Sequence, residues 1–172
     1  SAQGSMSSVT KHILRRCFLL FSFGVLLHCV YNNALVWELW NVLVQLAFTI
    51  AIAYAIMRMP HKIQIAISFG LLLLTEILYR FYNPEDPFNK GESFGSWFDM
   101  LVMGKINSGG WVTINFIPTA AHTIWGVVCG QLLLSKMGER ERIKSFVTGA
   151  AVLLILGLVL DLTNITPIVK RI

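Results

Sequence analysis

An all-α protein that crosses a membrane about five times is predicted by three features of this sequence. Hydrophobic residues fill 55% of its 172 positions and charged residues only 13%, where soluble domains carry roughly 25% charged residues. The apolar residues fall into runs close to the ~20 that a bilayer-spanning helix requires, and the mean hydropathy is +0.66. The 14 Lys and Arg fall mostly at the edges of those runs and in the segments before, between and after them, so the net charge of +5 is a topology signal and not a nucleic-acid one. The partner implied is the lipid bilayer; no nucleic acid is expected. Cys17, Cys29 and Cys129 lie inside apolar runs without CxxC spacing, which favours buried thiols over a disulfide framework or a zinc site.

Ser1 to Thr10 is small, polar and without apolar periodicity, and 1–12 reads as a disordered lead-in or a loop. Lys11 to Arg16 followed by CFLLFSFGVLLH also has the form of a signal peptide, and RRCFL that of a twin-arginine signal. No A-x-A-like site follows, and further spans do. From 13 to 172 the chain reads as one transmembrane domain, expected to be part of a larger bundle.

The first span is predicted at about Ile13 to Val30, with Arg15 and Arg16 at its start, where long side chains reach the headgroups. The second covers about Leu35 to Met57 and opens on Trp37, Glu38 and Trp40, its tryptophans suited to the interface. Arg58, Pro60, His61 and Lys62 make a tight basic turn. The third, Ile63 to about Tyr82, carries Glu76 and Arg80, spaced i,i+4 to pair on one face. The connector 83–111 is rich in Pro, Gly and Asn and holds Asp99; its Trp97, Phe98 and Leu101 favour a folded segment. A carboxylate such as Asp99 in this position is ordinarily solvated.

The fourth span, 112–135, contains 23 uncharged residues from Val112 to Leu134. Pro118 predicts a break at Asn115 to Thr119, and Asn115, Pro118, Thr119 and His122 suggest a polar cavity wall, since broken backbone is tolerated in a membrane where protein or a cavity satisfies it. His122 is a weak catalytic candidate; its alternative is a helix-to-helix hydrogen bond. Gly126 and Gly130 read first as a helix-packing GxxxG pair. Gln45, inside the second span, is either a ligand contact or an interhelical hydrogen bond. The fifth span is expected at 145–161, after the basic link Lys136 to Lys144.

Nine Lys and Arg (Lys11, Arg15, Arg16, Arg58, Lys62, Lys136, Arg140, Arg142, Lys144) fall on one side and five (Arg80, Lys90, Lys105, Lys170, Arg171) on the other. The positive-inside rule then puts the amino end in the cytoplasm and the connector outside. Arg15, Arg16 and the basic turns would meet either an anionic cofactor or anionic lipid headgroups. No Gly-rich phosphate loop, HExxH or nucleophile elbow occurs.

Five segments taken in order resemble the membrane-bound acyltransferases related to heparan-alpha-glucosaminide N-acetyltransferase, especially their bacterial relatives. They are RRCFLLFSFGVLLH (Arg15 to His28), WNVLVQLAFT (Trp40 to Thr49), WFDMLVMG (Trp97 to Gly104), NFIPTAAHTIWGVVCGQLL (Asn115 to Leu133) and ITPIVKRI (Ile165 to Ile172). These are similar to the family's basic-start helix, VLQR helix, DRLLLG-type outer loop, IPxxxxxxxGVxxG helix and P-x-x-K segment. Family members cross the membrane about ten times, so the resemblance implies a middle portion, inactive alone, of a bacterial inner-membrane enzyme. It implies acetyl transfer from cytosolic acetyl-CoA to an amino sugar or glycan outside, with the basic inner loops on the side of the CoA phosphates and the outer connector, with Asp99, Trp97 and Trp111, on the side of the glycan. Read from the residues themselves, Arg15, Arg16 and Gln45 are the candidate cofactor contacts, and Asp99, Asn115, His122, Glu76 and Arg80 the candidate substrate or cavity residues. The family's catalytic histidine lies in an upstream segment without a counterpart here, and Leu46 replaces the usual Arg after the helix glutamine. The alternative function is a small transporter or channel subunit, oligomeric if needed to close a pore, with a polar path of His122, Glu76 and Arg80.

Overall fold

The computed structural model describes residues 2–163, with side chains described from 8 onward. The ITPIVKRI segment, Lys170 and Arg171 lie outside the described residues. The chain is all-helical: α1 (Ala2–Asn32), α2 (Val42–Ile56), α3 (His61–Tyr82), the short α4 (Phe94–Met103), a 3-10 turn at Thr113–Asn115, α5 (Phe116–Leu134) and α6 (Glu139–Leu162). Four helices are long and apolar enough to cross a membrane, and α2 is a shorter apolar one. The chain is an integral membrane protein of the expected class.

Packing runs α1 on α2, α2 on α5 and α5 on α3. Small residues allow the close approaches. Gly24 of α1 faces α2 so tightly that a Cβ there would come within 2.6 Å of the Val44 side chain, and Ala47 and Ala53 of α2 and Ala120 and Ala121 of α5 are buried. On α5, Ala120, Ile124 and Val128 form a buried stripe at i,i+4 spacing. Trp125 Nε1 donates to Ser68 Oγ at 2.7 Å, bonding α5 to α3. The GxxxG pair takes no part in this packing: nothing lies within 4 Å of a Cβ built on Gly126 or Gly130.

At the end carrying the basic turns, Gln64 Nε2 donates to the carbonyls of Met57 and Met59 at 3.1 and 2.7 Å, and to Gln131 Oε1 at 3.2 Å. Gln131 Nε2 donates to the same Met57 carbonyl at 2.7 Å. The α2–α3 turn is thereby tied to the end of α5. Arg142 clasps the next turn, donating to the carbonyls of Ser135 and Met137 at 3.2 and 3.1 Å. Beyond that clasp α6 has no buried residue, and a helix apolar all round its circumference belongs in lipid or in a larger bundle.

Several boundaries differ from those expected. The polar lead-in is helical from Ala2, so Arg15 and Arg16 lie well inside α1, both exposed. The second span was expected from 35, but its helix starts at Val42, capped by Asn41, whose side chain accepts from Leu43 N at 2.8 Å. Fifteen helical residues reach only ~22 Å, and 34–41 ahead of them is irregular backbone. The break expected at Asn115 to Thr119 is a change of helix type at Asn115. Pro118 then falls in the first turn of α5, where no intrahelical donor is required, and the helix runs on through His122.

Candidate functional site at the connector end

The irregular stretch 34–41 passes across the ends of α1 and α2 because its polar groups are held from elsewhere. Cys29 Sγ meets both the carbonyl and the N–H of Val36, at 3.3 and 3.4 Å. The Leu39 N–H donates to Met103 Sδ at 3.2 Å. These contacts project Glu38 and Trp40 toward α4.

Trp40 Nε1 donates to Asp99 Oδ2 at 2.6 Å, and the Thr113 N–H donates to Asp99 Oδ1 at 3.0 Å. One carboxylate therefore joins the stretch before α2, the connector helix α4 and the turn leading into α5. Asp99 is fully buried, contrary to the solvated carboxylate expected, because α4 turns the face bearing Gly95, Ser96 and Asp99 inward. Burial pushes its carboxyl above the ordinary aspartate value, against the opposing bonds from Thr113 and Trp40.

Glu38 is the second carboxylate of the cluster. Its Oε2 lies 2.7 Å from His28 Nδ1 and its Oε1 is 2.7 Å from Lys105 Nζ; Asn32 Nδ2 adds a longer bond of 3.3 Å. His28 and Lys105 also flank the Trp40 ring, with the imidazole centroid at 6.5 Å and Lys105 Nζ at 5.9 Å. Burial alone would raise the Glu38 carboxyl, but the bond and charge of Lys105, aided by His28, hold it below the ordinary glutamate value.

These opposite shifts set opposite pH dependences. The Glu38 contribution is present above the ordinary glutamate pKa and is lost as pH falls through its lowered value. The Asp99 contribution favours the fold at acid pH and is lost as pH rises through its raised value. Thermal unfolding in detergent across pH should therefore show an acid-side loss that Glu38→Gln flattens; an unchanged acid limb in that variant would contradict the Glu38 assignment.

A carboxylate that fixes one imidazole nitrogen leaves the other to accept a hydrogen bond. No bond to His28 Nε2 occurs among the described residues. Nearby, Tyr79 Oη and Asn115 Oδ1 are buried without a hydrogen-bond partner, whereas buried polar atoms are ordinarily satisfied. Tyr79 belongs to the apolar cluster with Val112 and Ile114, and Gly95 must lack a side chain because a Cβ there would collide with Tyr79 Oη and Val112.

Of the residues singled out from sequence, Asp99 and Asn115 are at this end and buried. His122 is exposed, its Nδ1 3.2 Å from the Pro118 carbonyl of its own helix and its ring 5.1 Å from Trp125. Glu76 and Arg80 pair with each other at 2.5 Å on the outside of α3. Gln45 is half-buried, and its side chain has no hydrogen bond among the described residues. Arg15 and Arg16 meet no acidic partner there either. His28, Glu38, Trp40 and Lys105 were not singled out as site residues; their one legible signal is that polar groups close both apolar runs beside the YNN turn. No group of metal-ligating side chains occurs among the described residues. Comparison of the chain with protein-family models, curated proteins and solved structures finds no match to any of them.

Proposed function

We propose that this chain is a portion of an integral-membrane acyltransferase that moves an acetyl group from cytosolic acetyl-CoA to an amino sugar or glycan on the opposite face, in a bacterial inner membrane. The observation that carries the reading is the polar cluster of His28, Glu38, Trp40, Asp99 and Lys105 at the connector end. By the positive-inside count that end faces outward, the side from which a glycan acceptor would arrive.

In this reading Glu38 orients the His28 ring, whose Nε2 accepts a hydrogen bond from the acceptor hydroxyl or amine. Asp99 keeps the Trp40 indole in place beside His28. The catalytic histidine of the resembling family falls in a segment not matched here, so His28 is assigned to binding the acceptor and not to the chemical step. The basic turns on the other face supply charge suited to CoA phosphates.

The transporter reading, with a path of His122, Glu76 and Arg80, draws less support. His122 bonds within its own helix, and the ion pair satisfies itself on the bundle exterior. Vesicles holding the full-length gene product, supplied with labelled acetyl-CoA on the cytoplasmic side and glucosamine on the other, should accumulate acetylglucosamine. Absence of transfer, together with glucosamine uptake that depends on His122, would favour the transporter instead.

A further inference from the structure

We propose that α4 lies on the bilayer at the connector end of the bundle, with Trp97, Met100, Leu101 and Val102 sunk among the lipids. Its amphipathic character is the reverse of that of a helix facing water. The polar side chains Ser96 and Asp99 are buried against the protein beside Gly95. Trp97, Met100, Leu101 and Val102 point away and are 44%, 48%, 68% and 38% exposed. An outer face meeting water would carry charged or polar residues, yet the helix has one charged residue, Asp99, and it is wholly buried.

The occupant of this face follows from what it adjoins. Tyr82, at the end of α3, packs on Phe94 at 6.0 Å and on Trp97 at 6.1 Å, and Phe94 stacks on Trp97 at 5.4 Å. On α3 itself, Ile77 and Phe81 are exposed on a helix long and apolar enough to span the membrane. The apolar surface of the span thus continues onto α4 through Tyr82, Phe94 and Trp97, beside the self-paired Glu76 and Arg80, and Trp and Tyr mark the junction as they do at headgroup level. At ten residues α4 is too short to cross. Its ends are closed locally, by Ser93 accepting from Ser96 N at 3.3 Å and by left-handed Gly104 at φ 69°. A short, capped helix with one uncharged apolar face is suited to lying in the interface plane. This placement is independent of the reaction assigned to the chain.

The test uses the chain with Cys17, Cys29 and Cys129 replaced by serine, reconstituted in phosphatidylcholine vesicles, and an environment-sensitive fluorophore attached at Leu101→Cys. Glu92→Cys, in the polar part of the connector, is the reference, and Met100→Cys is a second reporter should the first variant reconstitute poorly. The expected result is blue-shifted emission at Leu101, quenching by chain-brominated lipid, and an iodide quenching constant several-fold below that at Glu92. Equal iodide quenching at the two positions would overturn the proposal in favour of a water-facing helix. Protection from both iodide and brominated lipid would overturn it in favour of a protein surface covering α4.

Discussion

Asp99→Ala should cost about 2–6 kcal/mol of stability, because it strands two buried donors, the Trp40 indole and the Thr113 amide, at ~1–3 kcal/mol each. The loss should be local as well as global. Asp99 joins the stretch before α2, the connector helix and the turn into α5 through two short bonds, beside the weaker sulfur contacts of Met103 to Leu39 and Thr113, so the connector end should loosen before the Gln64–Gln131 clasp at the other end. Asp99→Asn keeps one acceptor oxygen and should lose less. Thermal unfolding in detergent, followed by tryptophan emission, checks the order native, Asn, Ala. Equal stability of Ala and native protein would remove Asp99 from its structural role.

Gly24→Val should be comparably severe, and for a steric reason. A Cβ at Gly24 already comes within 2.6 Å of Val44 Cγ2 and 3.1 Å of the Val44 backbone nitrogen, and the latter belongs to a helix that cannot yield alone. Overpacking of this kind costs about 1–3 kcal/mol, and here it would part α1 from α2. Gly126→Val is the matched control, since nothing lies within 4 Å of that position. Unfolding in mixed detergent should separate the two variants, with Gly126→Val near the native value. The reverse order would mean that the α1–α2 seam is not the tight one.

That contrast indicates how much was legible in the sequence. Apolar run length located α3, α5 and α6, because a segment in hydrocarbon must satisfy its own backbone and a helix does so locally. Tight helix packing was attributed to GVVCG, yet whether a glycine sits at a contact depends on the facing helix, and Val44 selects Gly24. The start of α2 was misplaced for a similar reason. Trp40 and Leu39 bond to residues 59 and 64 positions away, contacts that composition and periodicity do not encode.

The site was partly legible. Asp99 stood out as a carboxylate in a folded connector, but its burial depends on α4 turning its polar face inward. Asn115 was expected on a cavity wall and is buried with an unpartnered oxygen. The His28–Glu38 pair is made by the chain reversing at Asn32 and Asn33, the latter at φ 48°, which brings the end of α1 against the stretch before α2. Pro118 signalled the start of a helix, a signal equally compatible with a break within one.

Binding of the acetyl acceptor at the connector end, as proposed, is tested most directly by steady-state kinetics of the full-length gene product with acetyl-CoA and glucosamine, comparing the native protein with His28→Gln. Loss of one hydrogen bond to the acceptor, worth ~1.4 kcal/mol, predicts a KM for glucosamine raised about tenfold, with the KM for acetyl-CoA unchanged. An unchanged glucosamine KM in an active His28→Gln variant would contradict the claim.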